Sequence, residues 1–165
     1  MKENFIKNEI FILTIMGAFG HNKIYINGIT EENKVKFRES LKQLLMEIEN
    51  KYKNSIGEKE HLNILDKIRK NIETQNKNIL NGKTISFGTV QKLLNLYLKY
   101  LWCIDIICEP PHCPIDKIIL NKLKDYKTSW TKMNKDDYIR AIKKINFVRG
   151  KESIAQWELR EFSRR

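Results

Sequence analysis

The chain has 165 residues, of which 41% are hydrophobic, enough for one ordinary domain with a real core. Only 7 Gly and 3 Pro exclude a low-complexity chain and argue against a many-turned all-β one. With 31 Lys and Arg against 20 Asp and Glu the net charge is +11, which points to an anionic partner.

Residues 4–17 read as a first apolar helix, ending at Gly17 and Gly20. The apolar run at 11–19 is far short of the ~20 residues that span a bilayer, so no membrane is expected. Glu3 and Glu9 lie where a signal peptide would carry a basic head, so the expected location is cytoplasmic. Lys23-Ile24-Tyr25-Ile26-Asn27-Gly28 suits a short strand or hairpin closed by an Asn-Gly turn. Thr30 is an N-cap candidate, with Glu31 and Glu32 favouring the helix dipole. Phe37, Leu41, Leu44, Leu45, Ile48 and Tyr52 then mark one face of an amphipathic helix, which Gly57 breaks. A second such helix carries Leu62, Leu65, Ile68, Ile72 and Ile79 up to the Asn81-Gly82 turn.

Ser86 opens a helix predicted to run to residue 107, where Pro110 and Pro111 stop the chain. Pro114 suits the first turn of another helix through Leu123, followed by a basic loop with Trp130. Asn134, backed by Asp136 and Asp137, caps a helix bearing Tyr138, Ile142 and Ile145. Ser153 caps a last helix with Ile154, Trp157 and Phe162. The expected fold is therefore mostly α: a compact single-domain helical bundle over residues 1–165, with six or seven helices and one short strand or hairpin near residues 23–28.

The charge is uneven. Residues 117–165 hold 14 Lys and Arg against 6 Asp and Glu (+8), whereas residues 1–116 hold 17 against 14 (+3). A cationic C-terminal third attracts phosphate backbones by counterion release, making DNA the expected partner. An acidic protein would answer the same charge. Within this region Trp130 and Trp157 suit either core packing or base stacking, and Lys132 suits phosphate.

The helix from Ser86 is apolar nearly all round, yet Lys92, Asn95 and Lys99 recur at i, i+3 and i+7, with Gly88 one turn earlier. Buried ammonium groups need a partner, so this stripe faces solvent, a carboxylate or a cleft. Glu109-Pro110-Pro111-His112-Cys113-Pro114-Ile115-Asp116 makes a rigid elbow into the next helix. Asp116 suits either a simple helix-start charge or a fixed anion facing Lys92. Cys103, Cys108, His112 and Cys113 are a ligand set zinc accepts, but their spacing points them apart, so no metal is expected. Three cysteines, an odd number, read as reduced thiols, with His112 orienting the chain.

Phe87-Gly88-Thr89-Val90-Gln91-Lys92-Leu93-Leu94-Asn95 resembles the Pro-Gly-Val-Gly-x-Lys-x-Ala-Asp/Asn segment of helix-hairpin-helix DNA glycosylases, with Val90 in place of the second glycine. Cys113-Pro114-Ile115-Asp116 is similar to their Val-Pro-Val-Asp segment, and together the two cover about 30 residues. The resemblance implies a repair enzyme of the 8-oxoguanine glycosylase/lyase type. Lys92 would be its Schiff-base lysine and Asp116 its catalytic aspartate, acting on a flipped base. Gly88, Gln91, Asn95, Lys99, His112, Trp130 and Lys132 would contact DNA, with hairpin amides near Gly88 gripping a phosphate. No cofactor is implied, because the four-cysteine iron–sulfur loop of some members is absent. The Lys-Tyr-Leu-Trp and Pro-Ile-Asp patterns are also similar to bacterial and phage proteins without an assigned function. The competing expectation is a non-catalytic basic protein that binds nucleic acid or acts in phage–host defence.

Overall fold

Helix α4 (Phe87–Cys103) is the axis of the molecule, and every residue from 87 to 99 is buried. A computed structural model describes residues 1–162, and six further helices surround α4: α1 (Lys2–Phe19), α2 (Glu31–Glu49), α3 (Glu58–Gln75), α5 (Lys117–Leu120), α6 (Lys135–Val148) and α7 (Ile154–Glu161). A helix apolar on all sides must be covered on all sides, and α1, α2, α3 and α6 do this. One core cluster joins Phe11, Leu41, Ile68, Leu94, Ile115, Ile145 and Trp157, so the fold is a mostly α single domain. No helix among the described residues is long and apolar enough to cross a membrane.

Capping chemistry sets where the helices begin. Thr30, Ser86, Asn134 and Ser153 each accept the amide three residues on, as the sequence predicts. Asn134 and Ser153 complete reciprocal capping boxes with Asp137 and Gln156. Each such cap contributes about 1 kcal/mol.

Two glycines allow close approach to α4. A Cβ on Gly17 would lie 2.6 Å from a Leu96 methyl, so its absence lets α1 settle against α4. A Cβ on Gly88 would lie 1.6 Å from the Trp130 carbonyl oxygen, so the turn at Trp130–Lys132 touches the start of α4 directly.

Three expectations need correcting. First, α4 stops at Cys103, not near 107, because Asp105 takes a left-handed conformation (φ 59°). Its amide donates to Trp102 O and that of Ile106 to Leu101 O, which closes the helix with aspartate where glycine is usual. Second, the helix expected from Pro114 to Leu123 is only α5, since Cys113–Ile115 is used as an extended strap along α4. Third, residues 23–28 form no strand: Tyr25 makes a single antiparallel bridge to Leu80. The ladder ends there because the partner segment turns away at Asn81–Lys83, with Gly82 at φ 66°. Ile79 lies beyond α3, on that partner segment.

Candidate functional site

The site is built on the polar residues of α4. Gln91 grips the strap as a second strand would, its Nε2 donating to Ile115 O (2.7 Å) and its Oε1 accepting from Ile115 N (3.0 Å). Asn95 donates to Cys113 O at 3.0 Å and to the Tyr138 hydroxyl at 2.9 Å. These bonds satisfy backbone groups that burial would otherwise leave orphaned. They also set where Asp116 emerges.

Asp116 is the N-cap of α5, with Oδ1 accepting from Ile119 N at 3.1 Å, so it stands one step before the helix and not in its first turn. Its other oxygen, Oδ2, lies 2.5 Å from Lys92 Nζ. The ammonium also sits 5.7 Å from the centre of the Trp130 ring. Lys92 is only 6% exposed, yet it and Asp116 line one open cleft of about 480 Å³. Met16, Leu96, Trp130 and Phe162 are among its apolar walls, and Tyr100 and the exposed His21 and Lys117 also line it. The volume falls in the range of small-molecule sites, ≈ 300–1,000 Å³.

Most other residues of the expected DNA contact set face inward. Gly88 donates its amide to Met133 O (3.0 Å), so that amide is not offered to a phosphate. What precedes Lys92 is the capped first turn of α4, reached from α3 through residues 76–86, and not a tight hairpin. Gln91 and Asn95 are fully buried and hold the strap. Lys99 is buried against Glu158, 3.0 Å from Oε1 and 2.8 Å from Oε2, with its ammonium 4.2 Å from the Phe162 ring centre. Burial pushes the Glu158 carboxyl upward, and the Lys99 charge only partly offsets it. Trp130 and Trp157 pack in the core, so neither is a free stacking platform, although an edge of Trp130 reaches the cleft. Lys132 is exposed.

His112 orients the chain. Its Nδ1 is 2.9 Å from the Tyr138 hydroxyl, and its ring lies 4.8 Å from that of His61, which is 2.7 Å from the Tyr52 hydroxyl. Burial pushes His112 down to about 4. His61 lies well below its usual value, first through burial and then through the neighbouring His112. Both rings are neutral at pH 7 and meet edge to face, joining His61 of α3 to His112 of the elbow. Cys103 and Cys108 are exposed while Cys113 is buried, and among the described residues no three His, Cys, Asp or Glu could hold a metal ion together.

One cleft residue carried no signal in the sequence: His21. Its neighbour Asn22 donates to Ala18 O (3.2 Å) and to Thr89 Oγ1 (3.1 Å), which ties the turn after α1 to the start of α4. The His21 ring then meets the Trp130 ring edge-on at 6.3 Å. A histidine after a helix-ending glycine has no motif; only the packing of α1 on α4 reveals it.

No protein-family model, curated protein or solved structure matches the chain.

Proposed function

We propose that the chain is a DNA-binding protein that acts as a glycosylase and abasic-site lyase, with Lys92 as nucleophile and Asp116 as the stabilising carboxylate. The observation that carries this reading is the 2.5 Å Lys92–Asp116 pair lining an open cleft. An amine and an acid 24 positions apart converge where a nucleotide turned out of the stack could reach them.

The chemistry follows from the pair. As the bond between base and sugar C1′ breaks, positive charge develops on the sugar and the Asp116 carboxylate opposes it. The base leaves with the bonding electrons and takes up a proton. Lys92, after giving its ammonium proton to the departing base, bonds through nitrogen to C1′, and O4′ leaves with its bonding pair and takes up the second amine proton as the sugar ring opens to an imine. Loss of a C2′ proton then breaks the C3′–O bond, and the phosphate leaves with that electron pair. Water cleaves the imine and frees the amine.

The test is reductive trapping. Borohydride should convert the imine into a stable protein–DNA adduct on oligonucleotides carrying an abasic site or 8-oxoguanine. Lys92→Gln should abolish the adduct, while Asp116→Asn should lose base removal and keep adduct formation at the preformed abasic site. Equal adduct from wild type and Lys92→Gln, or none from wild type, overturns the proposal.

A second reading has its own support: Lys92 is only 6% exposed and Asp116 already caps α5, so the pair also serves packing. In that case the protein is a non-catalytic basic module for nucleic acid or an acidic protein partner. The absence of any trapped adduct from wild type is the outcome it requires.

A further inference from the structure

On α6, Tyr138, Ala141, Ile142 and Ile145 are buried against the core. Arg140, Lys143, Lys144 and Phe147 recur at spacings of three and four, so they form a stripe on the opposite face. Phe147 is 90% exposed, a large apolar ring held in water with cations one turn away. The adjoining loop is fastened to this stripe. Lys144 Nζ donates to Lys124 O at 2.9 Å, and the Tyr126 hydroxyl donates to Asp137 O at 2.7 Å. Between loop and helix lies a shallow cleft of about 270 Å³, lined by Tyr126, Lys127, Arg140 and Lys144.

We infer that this face binds single-stranded nucleic acid, its cations following the backbone and Phe147 stacking on a base. Lys124, Lys127, Lys143 and Lys144 have no carboxylate partner among the described residues, whereas Arg140 pairs with Asp137. The acids on this surface are few. Asp125 lines the cleft, and Asp136 is at the far end of the stripe, 11 residues or about 16 Å along the axis from Phe147. A polyanion with flat faces answers both features at once: phosphates to the lysines, a base to the ring. A second copy of the chain would bring like charges together. Duplex DNA keeps its base faces inside the stack, out of reach of a ring on a convex helix, so an unpaired strand is the better fit.

This inference does not rest on the chemistry of the Lys92 cleft, and its test is separate. Fluorescence anisotropy with labelled 20-nucleotide dT and rU strands, and with a duplex of equal length, should show tighter binding of the single strands. Phe147→Ala should weaken single-strand binding at least about fivefold, and Phe147→Trp should preserve it. The exposed pair Lys127→Gln/Lys143→Gln should lower the slope of log affinity against log salt by about 1.4. No binding, duplex bound as tightly as single strands, or Phe147→Ala indistinguishable from wild type overturns the inference.

Discussion

Lys99→Met isolates a buried carboxylate and reads its cost directly. In the wild type, Glu158 is 2% exposed and its oxygens lie 2.8 and 3.0 Å from the Lys99 ammonium. Methionine keeps the length and apolar stem of lysine, so contact with the Phe162 ring survives while the positive charge goes. An uncompensated buried charge costs about 3–5 kcal/mol. For a chain of this size each 1 kcal/mol shifts Tm by roughly 2–4 °C, so the expected fall at pH 7.5 is about 6–20 °C. The sign of the pH dependence follows from the same burial. A carboxyl whose folded pKa lies above its unfolded value takes up its proton more readily when folded, so acidification favours the native state and rising pH removes that benefit. Without Lys99 the offsetting charge is gone and the upward shift grows. The deficit of Lys99→Met against wild type should therefore be largest at pH 7.5 and shrink toward pH 5. Lys99→Met/Glu158→Met should recover most of the loss, because replacing both members of a buried pair is often neutral. Circular-dichroism melts across this range decide the matter. A Tm within about 1 °C of wild type at pH 7.5, or a deficit that widens on acidification, would mean that α7 does not dock through a sealed Lys99–Glu158 pair.

The two close-approach glycines should differ in cost. Gly88→Ala meets backbone that cannot turn aside and should cost about 3 kcal/mol, combining overpacking with a weakened Gly88–Met133 bond. Gly17→Ala meets a Leu96 methyl that can rotate and should cost about 1 kcal/mol; urea midpoints in the reverse order would contradict the packing. Histidine burial predicts acid sensitivity. With His112 pushed from 6.5 to about 4, the unfolded chain takes up its proton first, so stability falls as pH drops below about 6.5. At pH 5 the loss from this ring is about 2 kcal/mol, and His112→Gln should show a correspondingly flatter urea midpoint between pH 7 and pH 5. An unchanged slope would mean that His112 is not neutral in the folded protein.

Much of the fold is legible in the residues themselves. Thr30, Ser86, Asn134 and Ser153 announce helix starts because capping is a short-range bond between a side chain and an amide three residues away. The all-round apolar character of 87–101 marks a central helix because only a covered helix can be so apolar. Even the convergence of Lys92 and Asp116 is foreshadowed, since an ammonium on a buried helix must meet an anion.

Which anion each lysine meets is another matter, decided by packing. Lys92 and Lys99 are chemically alike and two turns apart, yet one lines an open cleft with Asp116 and the other is sealed against Glu158 by the docking of α7. Nothing local separates them, because the partners come from 24 and 59 residues away. The same holds for Asp105, which ends α4 in the position glycine usually takes, and for His21, brought to the cleft by an Asn22–Thr89 bond across 67 residues. Helix formation and capping answer to neighbours a few positions away, so sequence alone determines them. The chemistry of a buried charge answers to whatever the whole chain folds against it, and only the tertiary structure decides that.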